Sequence, residues 1–471
     1  MISRRPLLGA FGAIGTLFAS RARADERIPL DGVWTGALEI GSQRLRLQFA
    51  FAADGAGTLR SLDQGGAPMP ARVTSSAPSH IVIEIPAVRG RFEGRETANG
   101  RLEGLWSQGG PTLPLVLLRG EAGLAETPST PLDEDALRAL RATAGSPALA
   151  AAAVRRSGAP RFWHDGRRAV DSDIVVTNAD LWHVGSITKS MTATLVARLV
   201  EAGLIRWDDT VSDLLGAVAP DMGDTYRAVT FRHLLSHRSG LPGNLPLLEL
   251  LRFSRENADP RDERKAYVRK ALAMAPKGAP GAIFEYANNG YVVAGAMLEA
   301  KFDRPWEALI REHVFAPLGM TSAGFGAPGV NGRLDQPVGH SKMLIGDRRT
   351  PHPVGEGLTD NPVVIGPAGT VHASCADMLR YLDAHRDATA FLSADSWRTL
   401  HTPPFGGDYA MGWVVRPDGA LWHNGSNTLW YAEASFDPAK GVSGFAASND
   451  GYLATSQIAV GKALRGAMVA V

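Results

Sequence analysis

The fold of this chain is decided by one stretch, Trp182-His183-Val184-Gly185-Ser186-Ile187-Thr188-Lys189-Ser190-Met191. Leu195 and Leu199 continue behind it with helical spacing, so the sequence predicts that Ser186 begins a helix. Because residues three apart share one face of a helix, Ser186 and Lys189 should lie side by side. A lysine in a poorly solvated place has a lowered pKa and can serve as the base for a serine nucleophile. The S-x-x-K spacing alone is equally typical of a helix cap followed by a surface lysine.

Two further polar motifs follow in order along the chain. Tyr286 and Asn288 stand two residues apart ahead of a second predicted helix, and His423 and Gly425 follow an apolar strand. S-x-x-K, Y-x-N and H-x-G in this order resemble the serine β-lactamase and penicillin-binding-protein superfamily. The loop at 232–242, RHLLSHRSGLP, is similar to a landmark of its class C-like branch. That branch includes esterases, D-aminopeptidases and D-alanyl-D-alanine carboxypeptidases.

The resemblance implies a fold and a set of roles. It implies an α/β (α+β) serine hydrolase domain over residues 133–471, with an antiparallel sheet and a helical subdomain, and without cofactor or metal. Ser186 would form an acyl-enzyme, and Tyr286, with its pKa depressed by the Lys189 ammonium, would share the proton with that lysine. Asn288 would orient the lysine or the substrate.

The third motif implies the oxyanion site and the substrate. The backbone N–H groups of Ser186 and Ser426 would bind the oxyanion, and Gly425 would let the substrate approach the strand edge. His423 replaces the lysine of the K-T-G form of the motif and is largely neutral near pH 7, which disfavours efficient β-lactam hydrolysis. The sequence therefore favours hydrolysis of small esters or D-amino-acid amides and peptides. A penicillin-binding or cell-wall-peptide sensor without turnover and a weak class C-like β-lactamase are the alternatives.

Residues 27–120 read as β structure. Leu47, Phe49 and Phe51 alternate with polar or small residues, and Asp54-Gly55 is a hairpin turn signal. This stretch resembles the lipocalin-like β domains attached to some bacterial serine hydrolases. It predicts a small barrel-like domain, whose interior is either packed or an apolar ligand cup, joined to the catalytic domain by a proline-containing linker at 121–132.

The first 24 residues are typical of an export signal, because a twin arginine precedes a short apolar run and Ala22-Arg23-Ala24. The sequence thus predicts a periplasmic or secreted protein without a transmembrane segment in the mature chain. The 471 residues include 49 Lys+Arg and 48 Asp+Glu. This balance leaves no excess of positive charge that would indicate nucleic-acid binding.

Several other polar residues are interpreted as structural. The single cysteine, Cys375, excludes an internal disulfide and is predicted to be buried. His233 and His237 have the spacing of a zinc helix but lack its glutamate, so a structural role is favoured. His183 is expected to point away from Ser186.

Overall fold

The computed structural model describes residues 28–40, 43–62, 68–98, 100–109, 112–124, 129–342 and 348–471. The predicted export signal, residues 1–24, lies outside the described residues, as does part of the predicted linker.

The N-terminal region is a closed barrel of eight antiparallel strands, in which each strand pairs with the next and the first pairs with the last. Its strands are β1 Gly32–Ile40, β2 Gln43–Phe51, β3 Ala56–Ser61, β4 Met69–Ala77, β5 His80–Ile85, β6 Gly90–Ala98, β7 Arg101–Ser107 and β8 Leu113–Arg119. The predicted barrel is thereby confirmed.

Large apolar side chains fill the barrel. Trp34, Phe49, Phe92 and Trp106 are all nearly or fully buried in one cluster, and the rings of Phe49 and Trp106 meet edge to face with centroids 6.4 Å apart. An eight-stranded barrel has an interior just wide enough for side chains to fill. These rings favour the packed interpretation of the domain over the ligand cup.

The region after the barrel is built on a six-stranded antiparallel sheet with the order β10-β9-β19-β18-β17-β16. Two smaller sheets have the orders β11-β15-β12 and β13-β14. The strands are β9 Ala148–Arg155, β10 Arg161–Gly166, β11 Leu181–His183, β12 Gly324–Phe325, β13 Gly339–Lys342, β14 Arg349–His352, β15 Val371–Ser374, β16 Val414–Val415, β17 Leu421–Ser426, β18 Tyr431–Asp437 and β19 Val442–Ser448.

Thirteen α-helices occur within the described ranges, together with short 3-10 turns. They are α1 Glu134–Ala144, α2 Thr188–Glu201, α3 Val211–Leu215, α4 Asp224–Arg227, α5 Phe231–Leu235, α6 Leu247–Leu250, α7 Arg261–Leu272, α8 Asn288–Phe302, α9 Trp306–Ile310, α10 Gly366–Gly369, α11 Cys375–Arg386, α12 Ala394–His401 and α13 Leu453–Ala470.

The main sheet is covered on both faces. Leu149, Ala151 and Ala153 of β9 belong to the core beneath α1 and α13, whereas the alternate residues of the strand face the larger core around α2, α8 and α11. Because successive side chains of a strand point to opposite faces, a strand buried on both sides reads as a continuous apolar run. The alanine-rich composition of β9 lets helices pack closely on either side, and the turn that precedes α2 packs against β17.

No helix in the described part of the chain has both the length and the apolarity needed to cross a bilayer.

Candidate active site

Ser186 lies in a 3-10 turn, Gly185–Ile187, that leads directly into α2. The predicted helix thus begins two residues later than expected, after a tight turn in which Gly185 has a φ of +52°. This turn leaves Ser186 partly exposed, whereas Lys189 on the first turn of α2 is completely buried. The Nζ atom of Lys189 lies 2.9 Å from Ser186 Oγ, so the predicted pair is in direct contact.

Lys189 has three oxygen neighbours, of which two can only accept. Its Nζ lies 2.7 Å from Asn288 Oδ1 and 2.7 Å from the carbonyl oxygen of Ala368, and the third neighbour is Ser186 Oγ. Burial lowers the pKa of Lys189 well below that of a free lysine. A neutral amine has two N–H donors, which Asn288 and Ala368 accept. The nitrogen lone pair is then directed at the Ser186 hydroxyl.

Tyr286 lies beside the same pair. Its hydroxyl hydrogen-bonds with Ser186, and its ring centroid is 4.9 Å from Lys189 Nζ. Although the whole residue is 39% exposed, burial of the hydroxyl is the dominant influence and raises the pKa of Tyr286 above that of a free tyrosine. The predicted depression of this pKa is wrong, because burial of the hydroxyl outweighs the hydrogen bond to Ser186, which lowers the pKa. Tyr286 is therefore a neutral phenol at rest.

His423 is buried, and both of its ring nitrogens have partners. Its Nδ1 lies 2.6 Å from the carbonyl oxygen of Asn424, which can only accept, so Nδ1 carries the proton. The Nε2 atom then accepts the hydroxyl of Tyr409 at 2.9 Å. Burial lowers the pKa of His423 to about 3. The ring is thus neutral, and Tyr409, which the sequence did not indicate, keeps it so.

The third motif lies against the nucleophile turn with almost no space between their backbones. A Cβ on Gly425 would stand 2.4 Å from the Ser186 nitrogen, and a Cβ on Gly185 would stand 2.4 Å from the Ser426 nitrogen. Glycine is therefore needed at both positions for the two backbones to pack this closely. The packing brings the predicted oxyanion donors, the N–H groups of Ser186 and Ser426, near each other. Gly425 makes room for the turn that carries Ser186, which is a different reason for a glycine from the expected approach of substrate.

Comparison with known proteins assigns this geometry to a family. The sequence profile of the family described as Beta-lactamase matches residues 134–466, more than half of the chain. This chain belongs to the β-lactamase family. The matched segment contains every motif residue above and begins after the barrel.

The relatives of this β-lactamase-family chain include a penicillin-binding protein and an esterase. Penicillin-binding protein 4 of Amycolatopsis lactamdurans is 28% identical over 306 residues, which are 60% of this chain and 75% of that protein. Esterase EstB of Burkholderia gladioli is 34% identical over 152 residues, 31% of this chain and 38% of EstB. The solved D-amino acid amidase from Ochrobactrum anthropi SV3, complexed with L-phenylalanine amide, has a TM-score of 0.58 at 19% identity over 71% of this chain and 97% of the amidase, which shows a shared fold.

His183 also belongs to this β-lactamase-family site, although it was expected to point away. It is fully buried; its Nδ1 lies 3.1 Å from the Gly185 nitrogen, and its Nε2 lies 3.1 Å from Asp360 Oδ2. No contact joins His183 to the Ser186 side chain, and its ring instead accepts the backbone N–H of the residue before Ser186. Asp360 itself was missed, since an aspartate in an irregular segment carries no sequence signal.

The remaining polar candidates have packing roles. His237 is buried; its Nδ1 accepts the Ala287 N–H at 3.0 Å, just before α8, and its ring centroid lies 4.2 Å from that of Tyr286. Cys375 is buried as predicted, and burial raises the pKa of its thiol to about 12. No group of three or more His, Cys, Asp or Glu side chains with metal-binding geometry occurs in the described ranges.

Proposed function

We propose that this chain is an exported serine hydrolase that forms an acyl-enzyme at Ser186 on small esters or D-amino-acid amides and peptides. The observation that carries the proposal is the hydrogen-bonding arrangement of Lys189, a buried amine with two acceptor-only partners and one serine hydroxyl. This arrangement places the amine of Lys189 where it can accept the proton of the Ser186 hydroxyl.

In the acylation step, Lys189 Nζ takes the proton of Ser186 as Oγ bonds to the carbonyl carbon of the substrate. The ammonium that forms lies 4.9 Å from the ring centroid of Tyr286 and 5.6 Å from that of Tyr291. Aromatic faces attract a cation but not a neutral amine. They therefore stabilise the charge that develops during the reaction, while burial keeps the resting lysine neutral.

The tetrahedral intermediate then needs an anion site and a proton donor. The N–H groups of Ser186 and Ser426 would bind the oxyanion, because the two glycines bring these nitrogens together. As the intermediate collapses, the leaving group takes a proton from the neutral Tyr286 hydroxyl, and Tyr286 recovers one from the Lys189 ammonium. Asn288 holds the lysine in place throughout, and water hydrolyses the acyl-enzyme.

The third motif bears on the substrate. A carboxylate on the substrate would find His423 neutral, with both nitrogens occupied. This supports uncharged esters or amides near β17 over β-lactams, whose carboxylate the family's lysine would pair with. Esterase EstB among the relatives is in keeping with such a substrate.

The same acylation chemistry allows a second function. Penicillin-binding protein 4 is among the relatives, and a protein that acylates but deacylates slowly would act as a penicillin-binding or cell-wall-peptide sensor. A weak class C-like β-lactamase is the remaining alternative. The sequence-based signal at residues 1–24 supports export, and with it a periplasmic or secreted location, for all three.

A fluorophosphonate probe and a series of p-nitrophenyl esters test the proposal. We expect the probe to label Ser186 and the enzyme to turn over short acyl esters, with both activities lost in Ser186→Ala. Labelling that persists in Ser186→Ala would overturn the mechanism. A stoichiometric burst of p-nitrophenol without turnover would instead identify the sensor.

A further inference from the structure

We propose that Asp360 is a positioning residue that holds the two halves of the oxyanion site in register. This inference rests on the proposed hydrolase function and extends it to a residue outside the three motifs. Asp360 is nearly buried, with a side chain that is 7% exposed, and it precedes the 3-10 turn Val363–Ile365.

One side of the Asp360 carboxylate holds the nucleophile turn through His183. Because Gly185 N–H donates to Nδ1 of His183, the ring proton must be on Nε2, which donates to Asp360 Oδ2 at 3.1 Å. The carboxylate thereby fixes the tautomer that accepts from Gly185. Gly185 is the residue with positive φ directly before Ser186, so its amide direction sets the direction of the next N–H.

The other side of the carboxylate holds the strand that carries the second donor. Asp360 Oδ1 accepts from Asn427 Nδ2 at 2.9 Å and from the Asn361 backbone N–H at 2.7 Å. Asn427 is buried and directly follows Ser426. Its Oδ1 accepts the backbone N–H groups of Leu429 and Trp430 at 3.2 and 3.1 Å, which fixes the turn between β17 and β18.

The Asp360 carboxylate thus accepts three hydrogen bonds and donates none. An amide in its place presents one oxygen and one NH₂ group. If that NH₂ faces His183, the ring must accept at Nε2 and move its proton to Nδ1, and Gly185 loses its acceptor. If it faces Asn427, two NH₂ groups oppose each other beside Ser426. Asp360→Asn must therefore displace one of the two oxyanion donors, although it keeps size and shape.

The test compares Asp360→Asn with Asp377→Asn in the full chain. Asp377 is the matched control, because it is also a buried carboxylate, and it accepts from Ser322 N–H at 2.6 Å and pairs with Arg380, neither of which contacts the motif residues. With p-nitrophenyl acetate we expect Asp360→Asn to lower kcat roughly 10- to 100-fold, less than complete removal of an oxyanion donor. KM should change little, and the acid limb of the pH profile should stay in place because Lys189 is untouched.

A boronic acid provides the second readout, because its tetrahedral adduct with serine directs an oxygen into the oxyanion site. Its affinity should fall by the same factor as kcat/KM in Asp360→Asn and stay unchanged in Asp377→Asn. A purely structural role would lower the melting temperature and leave kcat of the folded enzyme unaltered, and that result would overturn the inference.

A measurement on the unmodified enzyme covers the case in which a variant fails to fold. Nitrogen-15 NMR of the histidines at pH 7 should show His183 as the neutral, Nε2-protonated tautomer. An Nδ1-protonated or doubly protonated His183 would contradict the inference. If the proposed hydrolase function is itself wrong, fluorophosphonate labelling will not depend on Ser186. That result distinguishes failure of the proposed function from failure of the inference on Asp360.

Discussion

Replacing Asn288 by aspartate should turn the resting base of this enzyme into an ammonium ion. Asn288 Oδ1 lies 2.7 Å from Lys189 Nζ, so Asn288→Asp places a carboxylate in direct contact with a buried amine. Two opposite unit charges about 4 Å apart, the mean distance once the carboxylate charge is spread over both oxygens, attract by about 4 kcal/mol at an effective dielectric constant of about 20. That energy corresponds to a rise of roughly 3 units in the pKa of Lys189.

The sign of the effect follows from which form of the lysine is active. Because the proposed base is the neutral amine, a raised pKa moves the acid limb of kcat/KM to higher pH, and activity below the new pKa falls by up to roughly 1000-fold, the factor to which about 4 kcal/mol corresponds. The rate should recover as the pH rises through the new pKa. A variant that is merely damaged would stay slow at every pH.

The assay is the second-order rate of fluorophosphonate labelling between pH 5 and pH 10, corrected with Ser186→Ala. Asn288→Ala is the matched control, since it removes the same oxygen acceptor without adding charge. It should slow the reaction while shifting the acid limb far less. Equal profiles for Asn288→Asp and Asn288→Ala would refute the assignment of Lys189 as a neutral base.

Three further outcomes are expected. His423→Lys should speed acylation by benzylpenicillin, because it supplies a cation for the carboxylate; an unchanged rate in a stopped-flow assay would count against this reading of the third motif. Tyr286→Phe should lower kcat about 100-fold with little change in KM, whereas Tyr226→Phe, which removes a buried hydroxyl bonded to a distant backbone carbonyl, should not. Burial lowers the pKa of His340 to about 4, so the unfolded chain binds the extra proton first; the contribution of His340 to the free energy of unfolding should be constant above about pH 6.5 and fall by up to about 3 kcal/mol as the pH drops toward 4, in addition to the contributions of the other buried histidines. Urea titrations at several pH values would measure this, and His340→Asn should flatten the slope.

The sequence predicted what depends on spacing within one element. Ser186 and Lys189 meet because three residues make nearly one helical turn, and Asn288 begins α8 as its place before an apolar helix indicated. The barrel was predictable because its strands alternate with a period of two.

What the sequence could not predict depends on contacts between distant segments. Asp360 meets a histidine 177 positions away, and no local pattern marks either partner. The direction of the Tyr286 pKa shift was also missed, since it depends on how deeply the hydroxyl and the neighbouring lysine are buried, which only packing decides. The contact of Gly425 with the nucleophile turn could not be predicted for the same reason, because the backbone that it contacts comes from another part of the chain.

The pairing of β9 with β19 has a consequence for when this protein becomes active. The partner of β9, β19, is synthesised long after it, and so is β17, whose backbone lies against the turn that carries Ser186. During synthesis, the chain therefore contains Ser186 long before it contains the Ser426 N–H, the second proposed oxyanion donor. Under the proposed mechanism, a chain that ends before β17 lacks the second oxyanion donor, and we expect it to have no hydrolase activity.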